Sequence, residues 1–294
     1  ARVTVIDDLV RGRRENLAAA QASGRVELVE GDIRDAELVD ELTRGQDLVF
    51  HQAALRITHC AEDPQRAVQT MVNGSQNVLD AAVRHKVEKV LAASSASVYG
   101  EPDAVPMTED APFRNRTLYG AAKIFDEQLL RAYAETYALR YVAIRPFNVY
   151  GPRMDVYGVY TEVMIRWLQR LGRGEPPVIF GDGLQTMDFI FVGDVARSYL
   201  CAATADATDI VCNAGTGIET TLRELCRRLC VARGRPEVEV AFEPPRKVNP
   251  VSRRLAATDL AADRLGFRAT VGLDEGLNRL VAWYDTVAEV LSVA

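Results

Sequence analysis

Lys89-Val90-Leu91-Ala92-Ala93-Ser94-Ser95-Ala96-Ser97-Val98-Tyr99-Gly100 is followed, after a polar, proline-bearing loop, by Tyr119-Gly120-Ala121-Ala122-Lys123. A short run that is apolar after Lys89 reads as a buried strand, and it delivers a serine cluster at its carboxyl end. The segment from Leu118 to about Tyr137 reads as a helix. Tyr119 and Lys123 stand at i and i+4, so they share one face of it. An ammonium beside a phenol favours the phenolate. A serine hydroxyl nearby can hold the same oxygen that the phenol would deprotonate. Together these groups suit the movement of a proton on or off a hydroxyl. A tyrosine and lysine at this spacing occur on many ordinary amphipathic helices, and the serine cluster gives the pair its weight.

Working outward, the chain alternates strand and helix. Arg2–Asp8 is a β-branched run ending in acids. An acid at the carboxyl end of a strand is where a nucleotide-binding sheet reads a ribose, and Asp7 is the candidate, with a strand-ending turn residue as the alternative. Val26–Arg34 is a second strand whose Gly-Asp turn leads into a helix at Ala36–Leu42. Asp32 can accept from an adenine amino group with Ile33 covering the ring, or it can simply neighbour a helix capped by Asp35. Asp47–Ala54 is a third strand, and its terminal Ala53 and Ala54 admit a close-lying ligand or pack. A helix is expected over Ala67–Arg84, and a fifth strand, Tyr141–Arg145, follows the serine strand. Such alternation predicts an α/β fold with a doubly wound parallel sheet covered on both faces. Ligands collect at the carboxyl ends of such strands, where Asp7, Asp32, Ala53, Ser95 and Asn148 fall.

The organisation changes after Gly151. A helical pattern at Tyr160–Leu171, short strands near Val178–Gly183 and Asp209–Asn213, a helix at Leu222–Arg233 and a terminal helix near Leu273–Leu291 predict a smaller lobe. The expected division is 1–150 and 151–294, with about 185–200 returning to the first domain. The chain has 294 residues, 48% hydrophobic and 26% charged, with a net charge of −6. That charge argues against nucleic acid as a partner. The short clusters Arg11–Arg14 and Arg253-Arg254 read as solvated surface, with room for one arginine in each to meet a phosphate. Five cysteines and three histidines show no zinc-type spacing. Reduced thiols and a cytoplasmic protein are expected. No apolar run approaches the roughly 20 residues of a membrane helix.

Taken together, Ser94–Gly100, Tyr119–Lys123, Arg145–Arg153 and Gly181–Val195 resemble the extended short-chain dehydrogenase/reductase superfamily, within it the NAD-dependent sugar-nucleotide epimerases and dehydratases. The resemblance covers essentially the whole chain. It implies a Rossmann-like domain, a tightly held NAD and a nucleotide-diphosphate sugar as substrate. It implies Tyr119 as the acid/base, Lys123 on the nicotinamide ribose and Ser95 on the reacting hydroxyl. Asp7, Asp32, Ile33, Ala53, Ala54, Ser94 and Phe147 would meet the cofactor with Tyr119 and Lys123. Ser95, Ser97, Asn148, Arg153, Gln185 and Arg246 would meet the substrate. A homodimer through the Tyr119 helix and the helix before it is also implied, with Phe125 and Leu129 available to it or to the core.

Dehydratases of this type usually carry Asp-Glu where this chain has Ala96-Ser97, so the resemblance points to a UDP-glucose 4-epimerase-like enzyme. A related decarboxylase, reductase or dehydratase stays open, as does a binding protein without catalysis. Three positions depart from the pattern. Met187 stands where many relatives carry an arginine for the nucleotide phosphate, Met71 where an asparagine is common, and Ala257 where an aspartate is frequent. The family's opening strand and glycine-rich turn are not in the sequence. In the expected strand order 3-2-1-4-5-6, that strand would lie between Val3–Ile6 and Leu48–Phe50. The sequence is therefore expected to be an N-terminally shortened form of a longer enzyme.

Overall fold

Alternating apolar runs and amphipathic segments become alternating strands and helices in the computed structural model, which describes residues 1–157, 162–245 and 252–291. In chain order the first part runs β1 (Val3–Asp7), α1 (Ala18–Gln21), β2 (Val26–Glu30), α2 (Ala36–Thr43), β3 (Leu48–His51), α3 (Ile57–Glu62), α4 (Pro64–Val68), α5 (Gly74–Arg84), β4 (Lys89–Ala93), α6 (Leu118–Tyr137) and β5 (Tyr141–Pro146). Then come β6 (Asn148–Tyr150), α7 (Val163–Gly172), β7 (Val178–Phe180), β8 (Thr186–Phe191), α8 (Val192–Thr204), β9 (Ile210–Ala214) and β10 (Glu219–Thr221). The chain continues through α9 (Leu222–Ala232), β11 (Ala241–Glu243), β12 (Arg253–Arg254), α10 (Asp259–Leu265) and α11 (Leu273–Leu291).

The chain divides into two compact units. The first comprises 1–98, 115–145 and 202–212, and the second 99–114, 146–201 and 213–294. In the first unit β1 and β2 form a two-stranded sheet, and a separate four-stranded sheet has the order β3-β4-β5-β9. The ladders β1–β2, β3–β4 and β4–β5 are all parallel. β1 pairs with β2 and β3 with β4, and β1 and β3 do not pair. Strands β1, β2, β3 and β4 end at Asp7, Glu30, His51 and Ala93.

Helix starts follow local chemistry. Asp35 caps α2, accepting the Glu37 and Leu38 N–H groups at 3.1 Å each, and Thr117 caps α6 by accepting the Gly120 N–H at 3.1 Å. These side chains satisfy amide groups that the first helical turn leaves unpaired. α6 ends at Ala138 in the left-handed region, φ 55°, where its N–H reaches Tyr133 O. The single helix expected over Ala67–Arg84 is three pieces: α4, a π-helical turn at Gln69–Asn73, and α5. Behind the sheet, Leu79, Val90, Leu130, Tyr141 and Ala143 form one core, and Ile33, Val39, Val78 and Ala81 another.

In the second unit, β8 is flanked by β10 and β12 and also pairs with β6, while β7 pairs with β11. Trp167, Leu168, Phe191, Leu225, Leu229 and Leu280 belong to its core. Cys226 and Cys230 are buried in that core, and all five cysteines are free. No helix among the described residues is long and apolar enough to cross a membrane.

Candidate active site

β4 ends at Ala93, and the chain turns at once into the serine segment. The Ser94 N–H donates to Ile144 O at 2.8 Å, extending the β4–β5 ladder by one bond. That register turns the Ser94 side chain inward: it is 4% exposed, and its hydroxyl donates to Glu127. Glu127 also receives Arg145 through Nε at 2.8 Å and Nη2 at 2.7 Å. The side chain of Ser94, expected on the cofactor, is thus committed to a buried ion pair.

Ser95 and Ser97 are half-buried, Ser97 on a 3-10 turn at Ala96–Val98 and Ser95 just before it. The Ser97 N–H donates to Ser95 Oγ at 3.1 Å, which orients that oxygen and leaves its proton to donate elsewhere. α6 abuts this turn at Gly120. A Cβ there would lie 2.2 Å from Asn115 Oδ1 and 2.9 Å from Ser97 O. Only the absence of a side chain allows that approach. Tyr119 is half-buried against Leu55, Cys60, Ala67, Met71 and Ala122. One helical turn on, Lys123 is 2% exposed, and its ammonium donates to Ala93 O at 2.6 Å and to Asp126 Oδ2 at 3.3 Å.

At the end of β1, Asp7 accepts the Leu9 N–H at 2.8 Å. Gly12 lies against the same carboxylate, where a Cβ would come within 2.3 Å of Oδ1. Asp32 accepts the Arg34 N–H at 2.8 Å and the guanidinium at 2.9 and 2.6 Å. The Arg34 guanidinium beside it holds its carboxyl below the usual range, so it remains an acceptor. Asp35 caps the helix that follows. The Ile33 side chain is 6% exposed and packs into the core, close enough to Gly74 that a Cβ there would sit 2.7 Å away. Ala53 is half-buried and Ala54 exposed.

In the second unit Phe147 is 6% exposed, with its N–H on Ala214 O at 2.9 Å and its ring 6.3 Å from that of Tyr99. Asn148 donates to Asp188 O at 3.1 Å. Asp188 is fully buried and accepts from the Thr216 N–H and hydroxyl and from the Gly217 N–H, at 2.8, 2.6 and 2.9 Å. Arg153 is exposed, in the left-handed region with φ 71°. Gln185 and Met187 line a cavity of about 1220 Å³ together with Trp167, Phe180, Phe242 and four arginines: Arg166, Arg170, Arg173 and Arg223. The Arg223 guanidinium lies 4.8 Å from the Phe242 ring centroid. A cation-rich cavity with aromatic walls can hold an anion joined to a planar ring. Arg246 and Tyr160 lie outside the described residues.

Sequence reasoning did not single out Glu127, Asp126 or the arginine-lined cavity. The partners of Glu127 stand 33 and 18 residues away, with no local pattern to mark them. Arg166, Arg170 and Arg173 do carry a signal, since i, i+4 and i+7 lie on one helix face. Among the described residues no group of three metal-ligating side chains stands together.

A family model described as the NAD dependent epimerase/dehydratase family matches residues 1–215. The UDP-glucose 4-epimerase of Mycolicibacterium smegmatis is 37% identical over 285 residues, covering 96% of this chain and 90% of that protein. A dTDP-glucose 4,6-dehydratase of an Actinoplanes species is 33% identical over 285 residues, covering 96% and 87%. Among solved structures, that of a Thermotoga maritima UDP-glucose 4-epimerase with UDP-glucose superposes with a TM-score of 0.90 at 32% identity, over 98% of this chain and 92% of that one.

Proposed function

The chain belongs to the NAD-dependent epimerase/dehydratase family, and on that premise we propose that it inverts C4 of a UDP-sugar through a transient 4-keto sugar. NAD is the family's cofactor, and residues of the first unit fit it. Asp7 offers a carboxylate at a strand's carboxyl end, and Gly12 clears the space beside it. Asp32, Ala53 and Ala54 stand at the ends of the next two strands, and Tyr119 and Lys123 on α6 complete the set. When bound, NAD supplies the acceptor and donor for the hydrogen on C4.

The remaining work falls to the protein. Tyr119 Oη takes the proton of the C4 hydroxyl and later returns it, so no net proton is consumed. Ser95 Oγ, oriented by the Ser97 N–H, donates to the same sugar oxygen as it becomes a carbonyl. Lys123 is assigned to the nicotinamide ribose. Ser97 serves the sugar beside Ser95. Asn148, Arg153, Gln185 and Arg246 are assigned to the nucleotide-diphosphate portion, and the arginine-lined cavity suits its negative charge.

The observation that favours epimerisation over elimination is the turn itself. Elimination of water needs an acid to protonate the leaving hydroxyl. Ala96 is a buried methyl, 1% exposed, and Ser97 is a hydroxyl that stays protonated at neutral pH. Neither can supply that proton. A homodimer through α5 and α6 belongs to the same reading, supported by Phe125 and Tyr137 on α6, which are 38% and 56% exposed. Light scattering that finds only monomer rejects it.

Incubation with UDP-galactose, UDP-N-acetylglucosamine and UDP-glucuronate, with products resolved chromatographically, tests the reaction. Inversion at C4 of at least one is expected. A dehydrated product rejects the reading, and a Tyr119→Phe variant with full turnover rejects the role of Tyr119.

A further inference from the structure

The buried face of α6 carries three ionisable side chains among its seven buried residues, Lys123, Asp126 and Glu127; burial pushes the Asp126 carboxyl above its usual range, and the Lys123 ammonium opposes that. Glu127 is matched by the two-bonded guanidinium of Arg145. Asp126 is matched differently. It is 6% exposed; one carboxylate oxygen lies 3.3 Å from Lys123 Nζ, and the other is sealed from solvent with no hydrogen-bond partner.

Its neighbours offer no second positive charge. Ser75 donates its only hydroxyl proton to Met71 O at 2.8 Å. At the 2.9 Å contact between them, His51 therefore donates Nε2–H to Ser75 Oγ. Burial, helped by the Lys123 charge, holds the His51 pKa down to about 3, so the ring is neutral. Burial likewise keeps Cys60 a thiol. Glu127 adds a like charge that Arg145 already compensates. Lys123 is therefore the cation this carboxylate faces. A buried ion pair is a poor source of stability, since apolar side chains of similar volume usually serve as well or better. An aspartate at this place on the helix calls for a different role.

We propose that Asp126 is a positioning residue: its carboxylate is the counter-ion that keeps Lys123 an ammonium anchored on Ala93 O. The link to catalysis rests on the roles proposed above for Tyr119 and Lys123. Removing a buried negative charge makes proton loss easier for the cation beside it. Asp126→Asn therefore moves the Lys123 titration to lower pH.

The chain has four lysines, Lys86, Lys89, Lys123 and Lys247, so a protein carrying [ε-13C]lysine gives four signals. The Lys123 signal is identified by its loss in Lys123→Arg. In the full chain without substrate, Asp126→Asn is expected to lower the Lys123 midpoint by about one pH unit or more. Asp126→Glu should restore most of it, and the Lys86 and Lys89 midpoints should stay put. A Lys123 midpoint that is unchanged or raised overturns the proposal. Asp126→Leu, which fills the site with apolar volume, carries the same test should asparagine not fold. Full turnover of Tyr119→Phe would sink the catalytic reading, while the lysine titration would still decide the Asp126–Lys123 pairing.

Discussion

Replacing Glu127 by alanine leaves the Arg145 guanidinium, 3% exposed, without its carboxylate, and leaves Ser94 without the acceptor for its hydroxyl. Three hydrogen bonds end on that one carboxylate. Breaking a buried pair from one side costs about 3–5 kcal/mol, because the surviving charge cannot rehydrate. At about 2–4 °C per kcal/mol for a unit of this size, the thermal midpoint should fall by about 6–20 °C. The loss should be local. Amides of β4, β5 and α6 in the first unit should exchange faster, and those of β8 and α9 in the second should not. The double variant Glu127→Met/Arg145→Met removes both charges and keeps apolar volume, so it should recover most of the midpoint. Circular dichroism melts of the three proteins with hydrogen exchange on Glu127→Ala make the comparison. A single variant that melts within about 2 °C of the parent, or a double variant as unstable as the single, would refute the reasoning.

Gly120→Ala should raise helix propensity by about 0.5–1 kcal/mol, yet its Cβ collides with Asn115 Oδ1 and Ser97 O. Turnover should fall about tenfold or more as Tyr119 shifts from the serine turn, and unchanged kcat would show that the turn yields freely. Met187→Arg places a guanidinium in the arginine-lined cavity and should tighten UDP about tenfold while leaving uridine unchanged. Equal effects on both ligands in calorimetry would remove the diphosphate from that cavity. Glu224 is held down to about 2 from 4.5 by Arg227 and Arg228. A carboxylate whose folded pKa is depressed stabilises above its unfolded pKa, and that stability is lost as pH falls through 4.5 towards 2. Glu224→Gln should therefore melt slightly lower than the parent at pH 7, with the gap closing below pH 4.5. A gap as wide at pH 3 as at pH 7 contradicts the pairing.

The sequence exposed what is periodic and near in chain. β4 with its serines, the bounds of α6 and the i, i+4 placement of Tyr119 and Lys123 follow from an apolar run and helical spacing. Pairings across the fold left no such mark. Ser94 reads like Ser95 in sequence, but the bond of its N–H to Ile144 O turns its side chain into the core. Ile33 looks available to cover a ring until Gly74 is found packed against it. The helix read as continuous from Ala67 is broken by a π-helical turn at Gln69–Asn73, for which the residue pattern gives no warning. Asp126 carries the same lesson, since its meaning comes from the burial of Lys123 and not from its place in a motif.

The central claim is that Ser95, Tyr119 and Lys123 invert a sugar centre without eliminating water. Proton NMR of the reaction in deuterium oxide, starting from UDP-galactose with protium at C4, tests it most directly. The account predicts UDP-glucose that retains protium at C4, with no deuterium at C5 and no deoxy product. Deuterium entering the carbon skeleton alongside a 4-keto-6-deoxy sugar would contradict it.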